Sequence, residues 1–163
     1  MPPTSATPTA TSSTPSACPD RPVAEGRTPG SHSLEDHPIH LGLGATAEPQ
    51  PEFPFDERAM QWFVDYAQRH AADGAEGRLV SMFRFTEDWP SWEMHPAGAE
   101  VVLCTSGSMT LTQQHPDGRI ERVTLSPGEY AINPPGVWHT ADIDGEASAV
   151  FITAGMGTEH RPR

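Results

Sequence analysis

From residue 78 to 155 the chain is a succession of short β-prone runs, each closed by a cluster of turn residues, and this spacing limits the fold more than any other feature. The runs cover residues 79–85, 100–105, 109–113, 120–125, 129–133, a segment beginning near Trp138, and 149–153. Between them stand Ser106-Gly107-Ser108, Pro116-Asp117-Gly118, Ser126-Pro127-Gly128 and Pro134-Pro135-Gly136, which read as turns. No strand–helix–strand rhythm is visible, which argues against a parallel nucleotide-binding sheet. An all-β antiparallel sandwich or barrel is the expectation. In the first run two residue sets interleave, so Arg84 has two readings: inward, where it could hold an anionic substrate, or outward, the commoner case for an arginine.

One helix precedes the strands, over residues 56–72. Ala59, Phe63, Tyr66, Ala67 and His70 recur at helical spacing and are expected to face the core, with Trp62 broadening the stripe. Arg58, Asp65 and Arg69 point outward, Asp56 reads as the N-cap, and Asp73-Gly74 ends the segment. The helix belongs to an N-terminal segment, 31–77. There His32, His37 and His40 form a loose cluster with nothing to fix its geometry, and Leu41 and Leu43 suggest an edge strand that Gly42 and Gly44 weaken. Residues 1–30, rich in Pro, Thr, Ser and Ala, carry too little apolar surface to offset the entropy of ordering and are expected to be a disordered tail. Residues 156–163 read as a C-terminal tail.

A chain of 163 residues suits one domain with a sizeable core, and its hydrophobic content of 36% is held down mainly by the first thirty residues. A net charge of −12 argues against nucleic acid as a partner. Two cysteines, Cys18 and Cys104, make no disulfide framework and suit a reducing compartment. Cys104 reads as a small buried apolar residue, although its parity with Glu100 also allows a place near the site. No apolar run reaches the length of a membrane span, and no secretory leader is evident, so the expectation is a cytoplasmic protein with no membrane partner.

Potential metal ligands gather in Trp92-Glu93-Met94-His95-Pro96-Ala97-Gly98-Ala99-Glu100. Extended alternation puts Glu93 and His95 on one face and Trp92 and Met94 on the other. Residues 96–99 read as a turn closing a hairpin, which would return Glu100 beside His95. His139, in Pro134-Pro135-Gly136-Val137-Trp138-His139, would have to arrive from a distant strand.

These residues resemble the two motifs of the cupin superfamily. Against G-x5-H-x-H-x(3,4)-E-x6-G the chain has Glu93-x-His95-x4-Glu100-x6-Gly107, and against G-x5-P-x-G-x2-H-x3-N it has Gly128-x5-Pro134-x-Gly136-x2-His139. The resemblance implies a cupin double-stranded β-helix, a jelly-roll barrel, over about residues 78–155, with a divalent metal inside one mouth. His95, Glu100 and His139 match the family's ligand positions. Glu93 stands where the family has its first His, and Ile143 where it has its final Asn. Two His and one carboxylate form the facial set that leaves positions open on Fe2+. Glu93 as a fourth ligand would favour harder ions, Fe2+ or Mn2+, with Zn2+, Ni2+ or Co2+ as other candidates; unligated, it would serve as a general base. Dioxygenase-type chemistry on a small organic molecule is the leading functional expectation. A cupin isomerase, lyase or decarboxylase is the alternative, as is a ligand-binding or sensing barrel without catalysis. Trp138, Tyr130 and Met94 read as wall residues, His115 and His160 as surface residues, and the resembled families suggest a homodimer.

Overall fold

The structure is a computed structural model describing residues 29–163; the expected tail therefore lies, up to residue 28, outside the described residues. Its elements in chain order are β1 (Ile39–Gly42), β2 (Thr46–Pro49), α1 (Ala59–Arg69), β3 (Arg78–Phe85), β4 (Ser91–Met94), β5 (Glu100–Gln114), β6 (Ile120–Leu125), β7 (Tyr130–Asn133), β8 (Trp138–Ala154) and β9 (Glu159–Pro162). All pairings are antiparallel. Two long strands, β5 and β8, lie side by side; β3 and β4 pair with β8, while β6 and β7 pair with β5. The result is the jelly-roll barrel expected, with one helix ahead of it.

The long strands differ from expectation. Ser106-Gly107-Ser108 does not reverse the chain: β5 runs unbroken for 15 residues, with register shifts against β8 between Cys104 and Ser106 and between Gly107 and Met109. Gly107 has φ 70°, and a Cβ there would stand 1.8 Å from the Glu146 carbonyl oxygen. The turn-forming residues make a bulge that bends the strand around the barrel. β8 likewise spans 17 residues in place of two shorter runs.

Alternation along these strands sends Val102, Cys104, Met109, Leu111, Ala141, Ala147, Ala149 and Phe151 inward, where they pack with Phe85, Trp89 and Leu125. Cys104 belongs to this apolar cluster, and burial pushes its thiol pKa up. Arg84 is exposed and pairs with Glu146, so it points outward. Tyr130 is 62% exposed and is not a wall residue.

The helix is shorter than expected, Ala59–Arg69, and its buried stripe is Ala59, Trp62 and Tyr66. Phe63, expected inward, is 36% exposed, because the face that packs on Phe53 and Leu79 is centred on Trp62. The Asp56 carboxylate accepts from the Arg58 backbone N–H at 2.9 Å, ahead of the helix rather than as its cap. His40, on β1, joins this segment together. Its ring bonds the Tyr66 hydroxyl at 2.8 Å through Nδ1 and Asp73 Oδ2 at 2.7 Å through Nε2, and stacks on His70. Residues 159–162, expected to trail away, form β9 and pair with β4, setting His160 opposite Glu93.

Candidate metal centre

Three strands, two of them paired with the third, bring the predicted ligands together. His139 is the second residue of β8, Glu100 opens β5, and His95 follows the last residue of β4. His95 and Glu100 meet as expected, but not through a hairpin. β4 pairs with β8 and β9 and shares no ladder with β5, so residues 95–99 form a crossing between strands that each pair with β8.

The Glu100 carboxylate sits between the imidazoles, with Oε1 3.3 Å from His95 Nε2 and Oε2 3.1 Å from His139 Nε2. All three residues are buried. Although these are ion-pair distances, neither Nε2 has a hydrogen-bond partner, because the carboxylate oxygens lie off the line that an N–H···O bond requires. Each ring is tied at its other nitrogen: His139 Nδ1 to the Val137 carbonyl at 3.2 Å, and His95 Nδ1 to the Thr158 hydroxyl at 3.0 Å. A carbonyl can only accept, so His139 Nδ1 carries a hydrogen, and whenever the ring is neutral its lone pair is at Nε2.

Glu100 is also held from behind. Thr153 Oγ1 donates to Oε1 at 2.7 Å and Asn133 Nδ2 donates to Oε2 at 3.0 Å, while Gln113 Nε2 donates to Asn133 Oδ1 at 2.7 Å. Burial alone would lift the Glu100 carboxyl, but His139 and His95 outweigh it and hold the group well below the usual carboxylate range. For His139, burial pulls downward and the Glu100 carboxylate outweighs it, so the net direction is up.

Glu93 lies opposite His139 in the β4–β8 ladder and opposite His160 in the β4–β9 ladder. Ligand atoms of Glu93, His95 and His139 lie within 4.8 Å of one another. Glu93 Oε1 is 3.3 Å from His160 Nε2, and that contact raises the His160 pKa. His160 is a surface residue in part, its side chain 42% exposed, yet it touches the site.

These residues fit a divalent cation. Donors about 2.1 Å from an ion and at right angles to one another stand about 3 Å apart, close to the Glu100–imidazole separations. Two buried ring nitrogens without hydrogen-bond partners face one carboxylate, an arrangement that costs free energy unless something occupies it. A second grouping, His40, His70 and Asp73, offers the same donor types. Its rings stack with centroids 3.6 Å apart and planes 18° from parallel, so their in-plane lone pairs do not converge, and both nitrogens of His40 are bonded.

Sequence reasoning missed Asn133, Gln113, Thr153 and Thr158. A usable signal existed for two of them: Asn133 shares the inward parity of Ala131, and Gln113 that of Met109 and Leu111, so each is a polar side chain on an apolar face. For Thr158 the sequence held none. Trp138 packs against the Arg161 guanidinium, 4.4 Å from the ring centroid, in keeping with a packing role.

The fold is a β-barrel in which two imidazoles and a carboxylate meet. Residues 86–155 match the family model described as the Cupin domain, and the barrel is a cupin domain. No curated protein sequence matches the chain. Among solved structures, the chain is similar to protein NMB1881 from Neisseria meningitidis at 23% identity and a TM-score of 0.40, over 47% of this chain and 73% of that one. It is similar to hydroquinone 1,2-dioxygenase from Sphingomonas sp. TTNP3 with 4-hydroxybenzoate bound at 17% identity and a TM-score of 0.41, over 47% of this chain and 58% of that one. An oxalate oxidase is similar at 17% identity and a TM-score of 0.45, over 50% of this chain and 44% of that one. The chain thus spans under two thirds of the length of the last two. Among the described residues no helix is long and apolar enough to cross a membrane.

Proposed function

We propose that the barrel holds a divalent metal, Fe2+ or Mn2+, on His95, His139 and Glu100, and that it is a dioxygenase acting on a small organic molecule. One observation carries this reading: the two buried Nε2 atoms that lack partners and face a single carboxylate. Two His and one carboxylate leave several coordination positions free. Bound there, the ion would supply a Lewis-acid and one-electron centre with room for small molecules.

The remaining work falls to the chain's own residues. Val137 and Thr158 turn the imidazoles so that Nε2 faces inward, and Thr153 and Asn133 fix both oxygens of Glu100. Glu93 is the fourth ligand in this reading, supported by its closeness to both histidines. Its half-buried position also suits a base that takes a substrate proton at a carboxylate oxygen.

The test combines metal analysis of the purified protein with oxygen uptake on candidate carbonyl and enol compounds. The expected result is bound metal and uptake that vanish in Glu100→Ala and survive in His115→Ala. Turnover without oxygen consumption would move the protein to isomerase, lyase or decarboxylase chemistry, and tight ligand binding without turnover would make it a sensor. Glu93→Gln separates the two roles of that residue: lost metal marks a ligand, and full metal with lost activity marks a base.

A further inference from the structure

We infer that the C-terminal strand, beyond the matched cupin segment, is a positioning element of the metal centre, acting through Thr158 on His95 and through His160 on Glu93. The inference rests on the metal reading above. It begins with how the strand is docked. On the face of β9 away from the site, the Arg161 guanidinium lies 5.1 Å from the Trp92 ring centroid and 4.4 Å from that of Trp138, and its NH2 bonds Gln114 Oε1. Arg163 bonds Asp142 and the carbonyls of Trp89 and Ala141. Two arginines therefore clasp the strand to the rims of β4, β5 and β8 from outside. Residues 158 and 160 point to the other face by the alternation of an extended chain.

Each of these two residues meets a different ligand candidate. The Thr158 hydroxyl is the partner of His95 Nδ1, and with the hydrogen at Nδ1 it keeps Nε2 bare, the task that the Val137 carbonyl performs for His139. The difference between them is origin. Val137 is two residues from its histidine and needs no tertiary contact, whereas Thr158 lies 63 residues from His95 and is in place only while the strand is docked. His160 Nε2 meets Glu93 Oε1, on the strand neighbour that also faces His139. Thr158 and His160 are positioning residues: they orient donors and do not themselves reach the metal position.

The test is a titration of the metal-free full chain with Co2+, followed by visible absorption, beside thermal melting of the same metal-free samples. Thr158→Val keeps the shape and removes the acceptor; it is expected to bind Co2+ about 10- to 100-fold more weakly, with an unchanged melting temperature. Thr158→Ser restores the hydroxyl and is expected to recover wild-type affinity. His160→Ala is expected to weaken binding, and His160→Gln, which retains a donor for Glu93, to recover it. Wild-type affinity in Thr158→Val or in His160→Ala would overturn the inference, as would failure of the Ser and Gln variants to rescue. Wild-type protein that takes up no metal would overturn this inference together with the metal reading, whereas normal uptake by wild type and by both loss variants would overturn this one alone.

Discussion

Two clusters in this molecule are built from the same parts, two imidazoles and one carboxylate, and they end in opposite states. At the barrel mouth, His95, His139 and Glu100 leave two buried nitrogens without partners. In the N-terminal segment, His40 is bonded at both nitrogens and stacked on His70, whose Nε2 bonds Gln50 at 2.9 Å. In the first cluster both Nε2 atoms face one carboxylate without bonding it; in the second the ring nitrogens are bonded to Tyr66, Asp73 and Gln50. Residue type alone does not separate a ligand site from a structural joint. The direction of the lone pairs does.

The second cluster also depends on close approaches at glycines. A Cβ on Gly42 would fall 2.5 Å from Asp73 Oδ2, one on Gly77 would fall 2.9 Å from His40 Cε1, and one on Gly155 would fall 2.7 Å from the Tyr66 hydroxyl. Three glycines thus open space for a polar knot joining β1, the helix and the segment at the end of β8. Burial, with Asp73 nearby, pushes the Tyr66 phenol up to about 12, so it acts here as a neutral hydrogen-bonding group.

The sharpest way to break the comparison is to remove the central carboxylate at the mouth. Saturating metal at 100 times its dissociation constant should stabilise the wild-type protein by about 2.7 kcal/mol, and Glu100→Ala should abolish that gain, read as the melting shift with and without metal. Next comes His40→Ala, which leaves the buried Tyr66 hydroxyl and the half-buried Asp73 carboxylate without their imidazole partner. It should cost about 2–3 kcal/mol in denaturant unfolding and leave metal affinity unchanged. A loss of metal affinity in that variant would show that the two clusters are coupled.

A smaller effect is expected from Arg161→Ala, which removes the stacking on Trp92 and Trp138: about 1 kcal/mol of stability, with weakened metal binding because Thr158 and His160 lose their anchor. The smallest concerns pH. Burial, then His40, holds the His70 pKa below that of a free imidazole, with Glu48 and Asp73 opposing and Arg69 adding to the depression. The unfolded chain therefore binds a proton at higher pH than the folded one. His70's contribution to stability is present above the ordinary histidine pKa and is lost as pH falls through the lower folded value. Metal-free protein should show this as an acid-side loss of melting temperature that is reduced in His70→Gln.

Much of the site was readable before any coordinates. Glu93, His95, Glu100 and His139 stand at motif spacing, and turn residues on either side of them mark where the strands end. The means by which they meet was misread. Pro96 to Ala99 has the composition of a hairpin turn, but the strands it joins prefer β8 as their neighbour, and a ladder with a third strand is invisible to local pattern. Ser106-Gly107-Ser108 was misread for a related reason: the same residues serve a reversal or a bulge, and only the approach of the Glu146 carbonyl selects the bulge.

Sequence by itself indicated the class of fold and three groups that are candidates to grip an ion, because period-two alternation and turn chemistry are local properties of the chain; it left the inward face of residues 79–85 open. Tertiary structure decided which distant residues hold those groups: Asn133 behind Glu100, Thr158 on His95, His160 on Glu93. Those partners follow from strand register across the barrel. Register is set by packing the inward side chains of many strands at once, a global condition that no short stretch of residues encodes.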